Sequence, residues 1–365
     1  MPYSTPHPQP SASTPRLLVA QTGFLGDVVL TTPLIAELRR RLAPRSLSAL
    51  TTPQARPLLE YHSAVDRVLV DAKQTAGHGI LGLMRAAQQL RGERFTLAVA
   101  PHKSLRTALL LALAGIPQRI GFRQSPGWFL YHRTATRDTH RHEVERILCL
   151  MRAFGAEPEE CERKPRIEYS AAARTDAEAL LREARLEGTE PIFIVCPGSV
   201  WPTKRWTVEG YAGLIRLLER NYGRVLICGG PDDVAVAQAV HRQSGAQAVN
   251  LTGRADLSTF MALIDCARVV ISNDSAPMHM AVARGIPVVA IFCATTPSLG
   301  YGPYSEHAVV IEYKDLFCRP CSRHGGPVCP RGTEDCMRSI TAPDVLAGVD
   351  RLLTSRTGLQ LRAQS

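Results

Sequence analysis

The feature that most constrains this chain is a pattern met twice along it: short apolar segments alternating with amphipathic ones, as in parallel strands joined by crossover helices. In the first series the predicted strands are Leu17 to Gln21, Leu47 to Thr51, Arg67 to Val70, Leu97 to Pro101 and Gln118 to Phe122, with helices such as Asp27 to Leu42 between them. In the second they are Ile192 to Cys196, Arg224 to Cys228, Ala248 to Leu251, Val269 to Ser272, Val288 to Phe292 and Ala308 to Glu312. Six strands in that order suit one complete doubly wound domain. A polar stretch containing proline, Cys161 to Ala173, separates the two series, and 365 residues exceed the usual size of one domain. The expected organisation is a disordered tail over 1–15, a Rossmann-like domain over 16–165 and a second over 166–341. A closing helix and tail over 342–365 is placed to pack back on the first domain.

Charge divides unevenly between the halves. The net charge is +10, yet residues 1 to 166 hold 23 Lys plus Arg against 13 Asp plus Glu, while the remainder is balanced at 20 against 20. The stretch Pro101 to Arg141 alone carries Lys103, Arg106, Arg119, Arg123, Arg133, Arg137 and Arg141 against the single acid Asp138. Such a field attracts polyanions: nucleic acid, an anionic membrane surface or an acidic glycolipid. A merely soluble basic surface is the plainer reading of the same count.

Nothing at the start resembles an export signal. Met1 to Pro15 is rich in Pro, Ser and Thr and lacks both a basic start and an apolar core. The longest apolar run, Ala108 to Ile116, is far short of the roughly 20 residues that span a bilayer. A soluble or peripheral protein in a reducing cytoplasm is expected, and the thiols Cys196, Cys228, Cys266 and Cys293, in or beside apolar segments, read as buried and free.

In open parallel sheets ligands bind beyond the carboxyl ends of the strands, so chemistry is sought in the turns that follow them. The first strand runs into Thr22-Gly23-Phe24-Leu25-Gly26-Asp27, where a carboxylate at a helix start is stabilised by the dipole; a capping aspartate and a functional one remain equally open. The glycines do not complete G-x-G-x-x-G, which weakens a dinucleotide reading. In the second half Pro197-Gly198-Ser199 and then Lys204-Arg205-Trp206 follow a strand, and a hydroxyl and an ammonium there can meet a diphosphate. Cys228-Gly229-Gly230-Pro231-Asp232-Asp233 follows another, with glycines for close approach and an acid for ribose hydroxyls, or simply a turn before a helix. The strongest segment is Ser272-Asn273-Asp274-Ser275-Ala276-Pro277-Met278-His279: Ser275 heads a helix whose free amides suit a phosphate, and His279 lies one turn along. Near the end Cys318, Cys321, Cys329 and Cys336 suggest a zinc or thiol clamp, though the second pair is spaced wider than usual.

Taken in order and spacing, these segments resemble glycosyltransferase family 9, the lipopolysaccharide heptosyltransferases, over about Arg16 to Leu353. The marks are Gly26-Asp27-Val28, His142-Glu143-Val144-Glu145-Arg146, Pro197-Gly198-Ser199 with Lys204-Arg205-Trp206, Leu251-Thr252-Gly253, and Asn273-Asp274-Ser275 with His279. Relatives commonly place Gly where this chain has Ala276. The resemblance implies an α/β GT-B fold, two Rossmann-like domains facing a cleft, and an inverting reaction that needs neither metal nor cofactor. It implies ADP-L-glycero-D-manno-heptose as donor and Asp27 as the general base. Lys204, Ser275 and His279 would meet the diphosphate with the amides of the Asp274 turn, including Ala276. Asp274 would contact the heptose, and Ser199 and Asp233 would complete the donor site. The acceptor would be an acidic Kdo-lipid A core held by Lys103, Arg119, Arg123 and Arg137. A monomer touching the inner face of the membrane is expected, with no part for nucleic acid. The competing readings are a GT-B enzyme for another nucleotide sugar, a nucleotide-sugar epimerase, and a non-enzymatic nucleic-acid or membrane module indifferent to Asp27 and Lys204.

Overall fold

The computed structural model describes residues 14–73, 79–186, 188, 190–245 and 247–362, without the side chains of 355–362. The tail expected over 1–15 therefore lies, but for its last two residues, outside the described part. The chain forms two compact units, 1–165 and 166–365, each built on one six-stranded parallel sheet.

In the first unit β1 (Arg16–Ala20), α1 (Leu25–Leu42), β2 (Ser46–Thr51), α2 (Pro57–Glu60), β3 (Arg67–Val70), α3 (Gly79–Gly92), β4 (Leu97–Ala100), α4 (Leu105–Leu113), β5 (Gln118–Phe122), β6 (Arg133–Ala135) and α5 (Glu143–Leu148) follow one another. The sheet order is β3-β2-β1-β4-β5-β6, so the order reverses between β1 and β4. Both of those strands are almost wholly buried, which is why they read as unbroken apolar runs. The sixth strand is absent from the sequence expectation: it is three residues long, two of them exposed, and sits at the sheet edge, where no apolar pattern is required.

Helix α1 begins two residues before the expected Asp27 and carries Pro33 in its interior. A proline there leaves the Val29 carbonyl without its usual helical donor. The Thr32 hydroxyl supplies one at 2.7 Å, so the Thr-Pro pair crosses the helix without an orphaned acceptor.

The second unit runs α6 (Ala171–Glu183), β7 (Ile192–Cys196), α7 (Val208–Asn221), β8 (Arg224–Ile227), α8 (Val234–Ser244), β9 (Val249–Asn250), α9 (Leu257–Asp265), β10 (Ala267–Asn273), α10 (Ala276–Arg284), β11 (Val288–Phe292), β12 (Ala308–Glu312), α11 (Asp335–Arg338) and α12 (Ala342–Arg362). Its sheet order, β9-β8-β7-β10-β11-β12, repeats that of the first, with the reversal between β7 and β10. Helix α12, expected to return to the first domain, packs over its described side chains on α7, β11 and β12 of its own unit. Val345, Val349 and Leu352 join the apolar core there with Leu214, Ile215 and Leu218 of α7, so this helix seals one face of its own sheet.

All ten cysteines are free thiols. Cys196, Cys228 and Cys293 are buried as expected, whereas Cys266 is exposed, because it caps α9 in the turn toward β10 instead of entering the strand. Among the described residues no helix is long and apolar enough to cross a membrane.

Candidate active site

The turn after β1 opens at the strand-order reversal of the first sheet, where side chains from neighbouring turns converge. Gly23 is needed for close packing: a Cβ there would lie 2.8 Å from Asp27 Oδ2 and 3.0 Å from Gln21 Oε1. Asp27, the third residue of α1 and half-buried, accepts the Phe24 N–H at 3.2 Å through Oδ2. It thus caps the start of the helix through Oδ2. Lys73, two residues past Asp71, reaches over this turn and donates to the Thr22 carbonyl at 2.6 Å. Burial lowers the Lys73 pKa, as does the nearby Arg106. Asp71, buried, holds the Arg106 guanidinium in a two-pronged pair. His102, beyond β4, is driven down to about 4 by burial and by Lys73.

Of the four cations expected to meet an acceptor, two are committed elsewhere. Arg119 lies near the start of β5, the wrong end of the strand, and its guanidinium donates to the carbonyls of Leu130 at 2.8 Å and Ile116 at 2.5 Å. Arg137 is 5% exposed, pairs with the buried Glu143 and covers the Phe122 ring. This explains the His142–Arg146 motif: His142 caps α5 by accepting the Val144 N–H, while Glu143 joins Arg137 to Arg146. It is an internal brace, and both Arg119 and Arg137, expected at the acceptor, are engaged by partners within this unit. Lys103 is half-buried after β4, and Arg123 is exposed after β5.

In the second unit the turns after β7, β8, β10 and β11 meet at the corresponding reversal. Asn273, fully buried at the end of β10, binds them together. Its amide donates to the carbonyls of Pro197 at 2.9 Å and Gly198 at 3.2 Å, and its oxygen accepts from the Trp206 N–H at 3.0 Å and the Tyr211 hydroxyl at 2.9 Å. Every donor and acceptor position of the side chain is used. The sequence marks Asn273 only as a strand end, since its partners lie 62 to 76 positions away.

Around this anchor stand the residues expected at the donor. Asp274, 5% exposed, accepts at Oδ2 from Lys204 Nζ at 2.7 Å and from the Thr295 hydroxyl at 2.7 Å. Thr295 was not foreseen; it belongs to the turn after β11. Ser275 occupies the N-cap position of α10, but its hydroxyl turns back to Ser272 Oγ at 3.1 Å and the Asn273 carbonyl at 3.3 Å, so no side chain caps the helix. Ala276 opens the helix at ordinary negative φ, so the methyl group costs no backbone strain. His279, one turn on, is buried at 5% exposure. The Ser199 carbonyl takes two bonds from Arg205, at 2.8 and 2.6 Å.

Asp233 lies against the same turn. Its Oδ2 accepts the Gly230 N–H at 3.0 Å, and its carboxylate packs on Gly198 so closely that a Cβ there would be 2.0 Å from Oδ1. Burial raises its pKa. The cysteine-rich segment borders the site: the Gly326 backbone exchanges hydrogen bonds with the Thr203 hydroxyl at 2.8 and 3.0 Å, and the Arg319 guanidinium donates to the carbonyls of Phe292 and Thr295 at 3.0 and 2.7 Å. Among the described residues no group of three or more His, Cys, Asp or Glu side chains is arranged to hold a metal ion.

One side of this second-unit site thus offers an ammonium, a hydroxyl and an uncapped helix start to an anion, and the other a half-buried carboxylate beside two glycines. The profile of glycosyltransferase family 9 (heptosyltransferase) matches residues 83–328. The chain is 27% identical over 313 residues to lipopolysaccharide heptosyltransferase 2 of Salmonella typhimurium, covering 81% of this chain and 88% of that protein. Its fold superposes on a family 9 glycosyl transferase from Veillonella parvula with a TM-score of 0.84 at 24% identity, over 93% of this chain and 98% of the other. It also matches Escherichia coli ADP-heptose lps heptosyltransferase II with a TM-score of 0.76 at 22% identity, over 93% and 99%. The fold is that of the GT-B enzymes, and the chain belongs to glycosyltransferase family 9, the heptosyltransferases.

Proposed function

We propose that this enzyme transfers L-glycero-D-manno-heptose from ADP-heptose to the inner core of lipopolysaccharide, with inversion and without a required metal. The observation that carries the reading is the Lys204–Asp274–Thr295 cluster beside the start of α10. The relatives named above as heptosyltransferases support the choice of sugar. In this reading Lys204, Ser199, Ser275, His279 and the amide of Ala276 bind the donor diphosphate, Asp274 faces the sugar, and Asp233 takes the ribose. The departing ADP gains negative charge, and a fixed ammonium and helix dipole stabilise it without reorganisation.

The first unit supplies the base. A sugar hydroxyl is a poor nucleophile, and a positioned carboxylate accelerates its attack by about 10²- to 10⁴-fold. Asp27 spends one oxygen on the Phe24 N–H, and the acceptor proton goes to the carboxylate. Lys103 and Arg123, with Lys73 at the same strand ends, supply the charge for Kdo carboxylates and lipid A phosphates. A cytoplasmic monomer peripheral to the inner membrane fits this assignment.

Purified enzyme incubated with ADP-heptose and a panel of core acceptors, with products weighed by mass spectrometry, tests the reaction. A heptose added to a Kdo-lipid A type acceptor is expected. Consumption of the donor without any acceptor would favour an epimerase instead. For the base, Asp27→Asn keeps an oxygen for the Phe24 N–H and removes the basicity. Transfer should fall at least about 10²-fold with donor affinity unchanged; near-normal transfer rejects Asp27.

A further inference from the structure

Between Asp71 and Asp138 the chain carries ten Lys and Arg residues and a single acid, Glu93. That acid is already paired with Arg67 at 2.8 Å. The same stretch holds an unusual share of the large apolar side chains left in solvent: Ile80 at 79% exposure, Leu81 at 74%, Met84 at 51%, Leu105 at 42%, Trp128 at 53% and Phe129 at 63%.

These six lie at one end of the first unit. Helices α3 and α4 pack side by side; α3 ends just before β4 begins and α4 starts just after β4 ends, so both helices begin at the strand-end edge of the sheet. Ile80, Leu81 and Met84 occupy the opening turns of α3, and Leu105 is the first residue of α4. Gly127, which leads into Trp128 and Phe129, sits on that same turn of α4: a Cβ on it would be 2.5 Å from Ala108 and 3.4 Å from Leu105. Trp128 and Phe129 meet edge to face at 6.3 Å. Arg85 and Arg123, both exposed, flank the apolar residues and form no ion pair among the described residues. Phe24, in the Asp27 turn, is 59% exposed at the same strand-end edge.

We infer that this end of the first unit is a docking surface for an anionic lipid bilayer, with the six apolar side chains entering the head-group boundary and Arg85 and Arg123 meeting lipid phosphates. Apolar side chains that include a tryptophan, rimmed by arginine and free of acids, suit the interface between water and acyl chains. A second copy of the chain would face the same uncompensated positive charge across the contact, which disfavours self-association. The inference deepens the proposed function, since a bilayer at this edge presents the head group of a lipid-anchored acceptor to the Asp27 turn. Lipid binding itself does not depend on that reading.

Flotation of the full chain with vesicles tests it, using phosphatidylglycerol mixed equally with phosphatidylcholine, phosphatidylcholine alone, and no donor or acceptor. The expected result is flotation with the anionic vesicles, weakened by salt. Ile80→Ser/Leu81→Ser and Trp128→Ser/Phe129→Ser should each lower partitioning at least about tenfold, and Arg85→Glu should lower it on anionic vesicles. Thermal melting by circular dichroism checks that the variants fold. Transfer to a deacylated, water-soluble acceptor should stay unchanged in the two serine pairs, while KM for the acylated acceptor rises. Wild-type protein that stays off the anionic vesicles overturns the inference, as do serine pairs that float like wild type. So does sedimentation equilibrium showing a dimer that the serine pairs dissolve. Loss of transfer to every acceptor with flotation intact would instead remove the proposed reaction and leave the docking surface standing.

Discussion

Replacing Asn273 by alanine should unfold the second unit far more easily than any other single polar change there. Four partners lose their bond at once: the Pro197 and Gly198 carbonyls, the Trp206 N–H and the Tyr211 hydroxyl. Each bond contributes about 0.5–1.5 kcal/mol net, and all four partners are buried away from compensating water, so a loss of about 3–5 kcal/mol follows. Tyr211→Phe removes one bond of the four and should cost about 1 kcal/mol. A whole-chain transition would blend the two units, which need not unfold together. The chain has three tryptophans, and Trp128→Phe leaves Trp201 and Trp206, both in the second unit. In that background tryptophan emission reports on the second unit alone, and Trp206, 2% exposed, should redden on unfolding. Urea titrations of the three proteins give the differences from their midpoints at constant slope. A loss under about 1.5 kcal/mol for Asn273→Ala would refute the claim that this side chain knits the turns together.

Three further outcomes are expected. Gly198→Ala pushes a methyl into the Asp233 carboxylate and should cost about 1–3 kcal/mol with a raised donor KM; in an Asp233→Ala background the cost should vanish, and equal costs in both backgrounds would refute the contact. Lys204→Met should lower kcat/KM by about 10²- to 10³-fold, read from ADP release, and retention of activity would remove Lys204 from the diphosphate site. His102 titrates near 4 when folded against 6.5 when unfolded, so the unfolded chain takes the proton first as pH falls. Stability is therefore whole above 6.5 and declines toward 4; His102→Phe should flatten that decline in melting temperatures across the window, and an unchanged slope would show another group responsible.

The sheets were legible because buried parallel strands must be continuously apolar, as β4, β7 and β11 are, and weaker apolar segments mark eight of the other nine. The missing one, β6, lies at an edge with two of three side chains in solvent, where selection on hydrophobicity is weak. Asp233, Asp274 and Lys204 could be picked out as candidates for a related reason, since each follows a recognisable strand. The acceptor cations were harder. Charge counting treats Arg119, Arg123 and Arg137 alike, but only tertiary contacts reveal that one is tied to two carbonyls and another buried with Glu143. The bracing role of Asn273, and Thr295 altogether, escaped for the same reason: their partners are remote in sequence, so nothing local announces them.

Because both sheets share one strand order, the loop leaving β1 and the loop leaving β7 occupy equivalent addresses in their respective halves. One delivers Asp27 and the other Lys204, residues of opposite sign, at almost the same distance along the chain from the strand's last residue. The same scaffold thus carries a carboxylate at one address and an ammonium at the other. Exchanging the two loops between halves should preserve both sheets while swapping which of them carries the carboxylate.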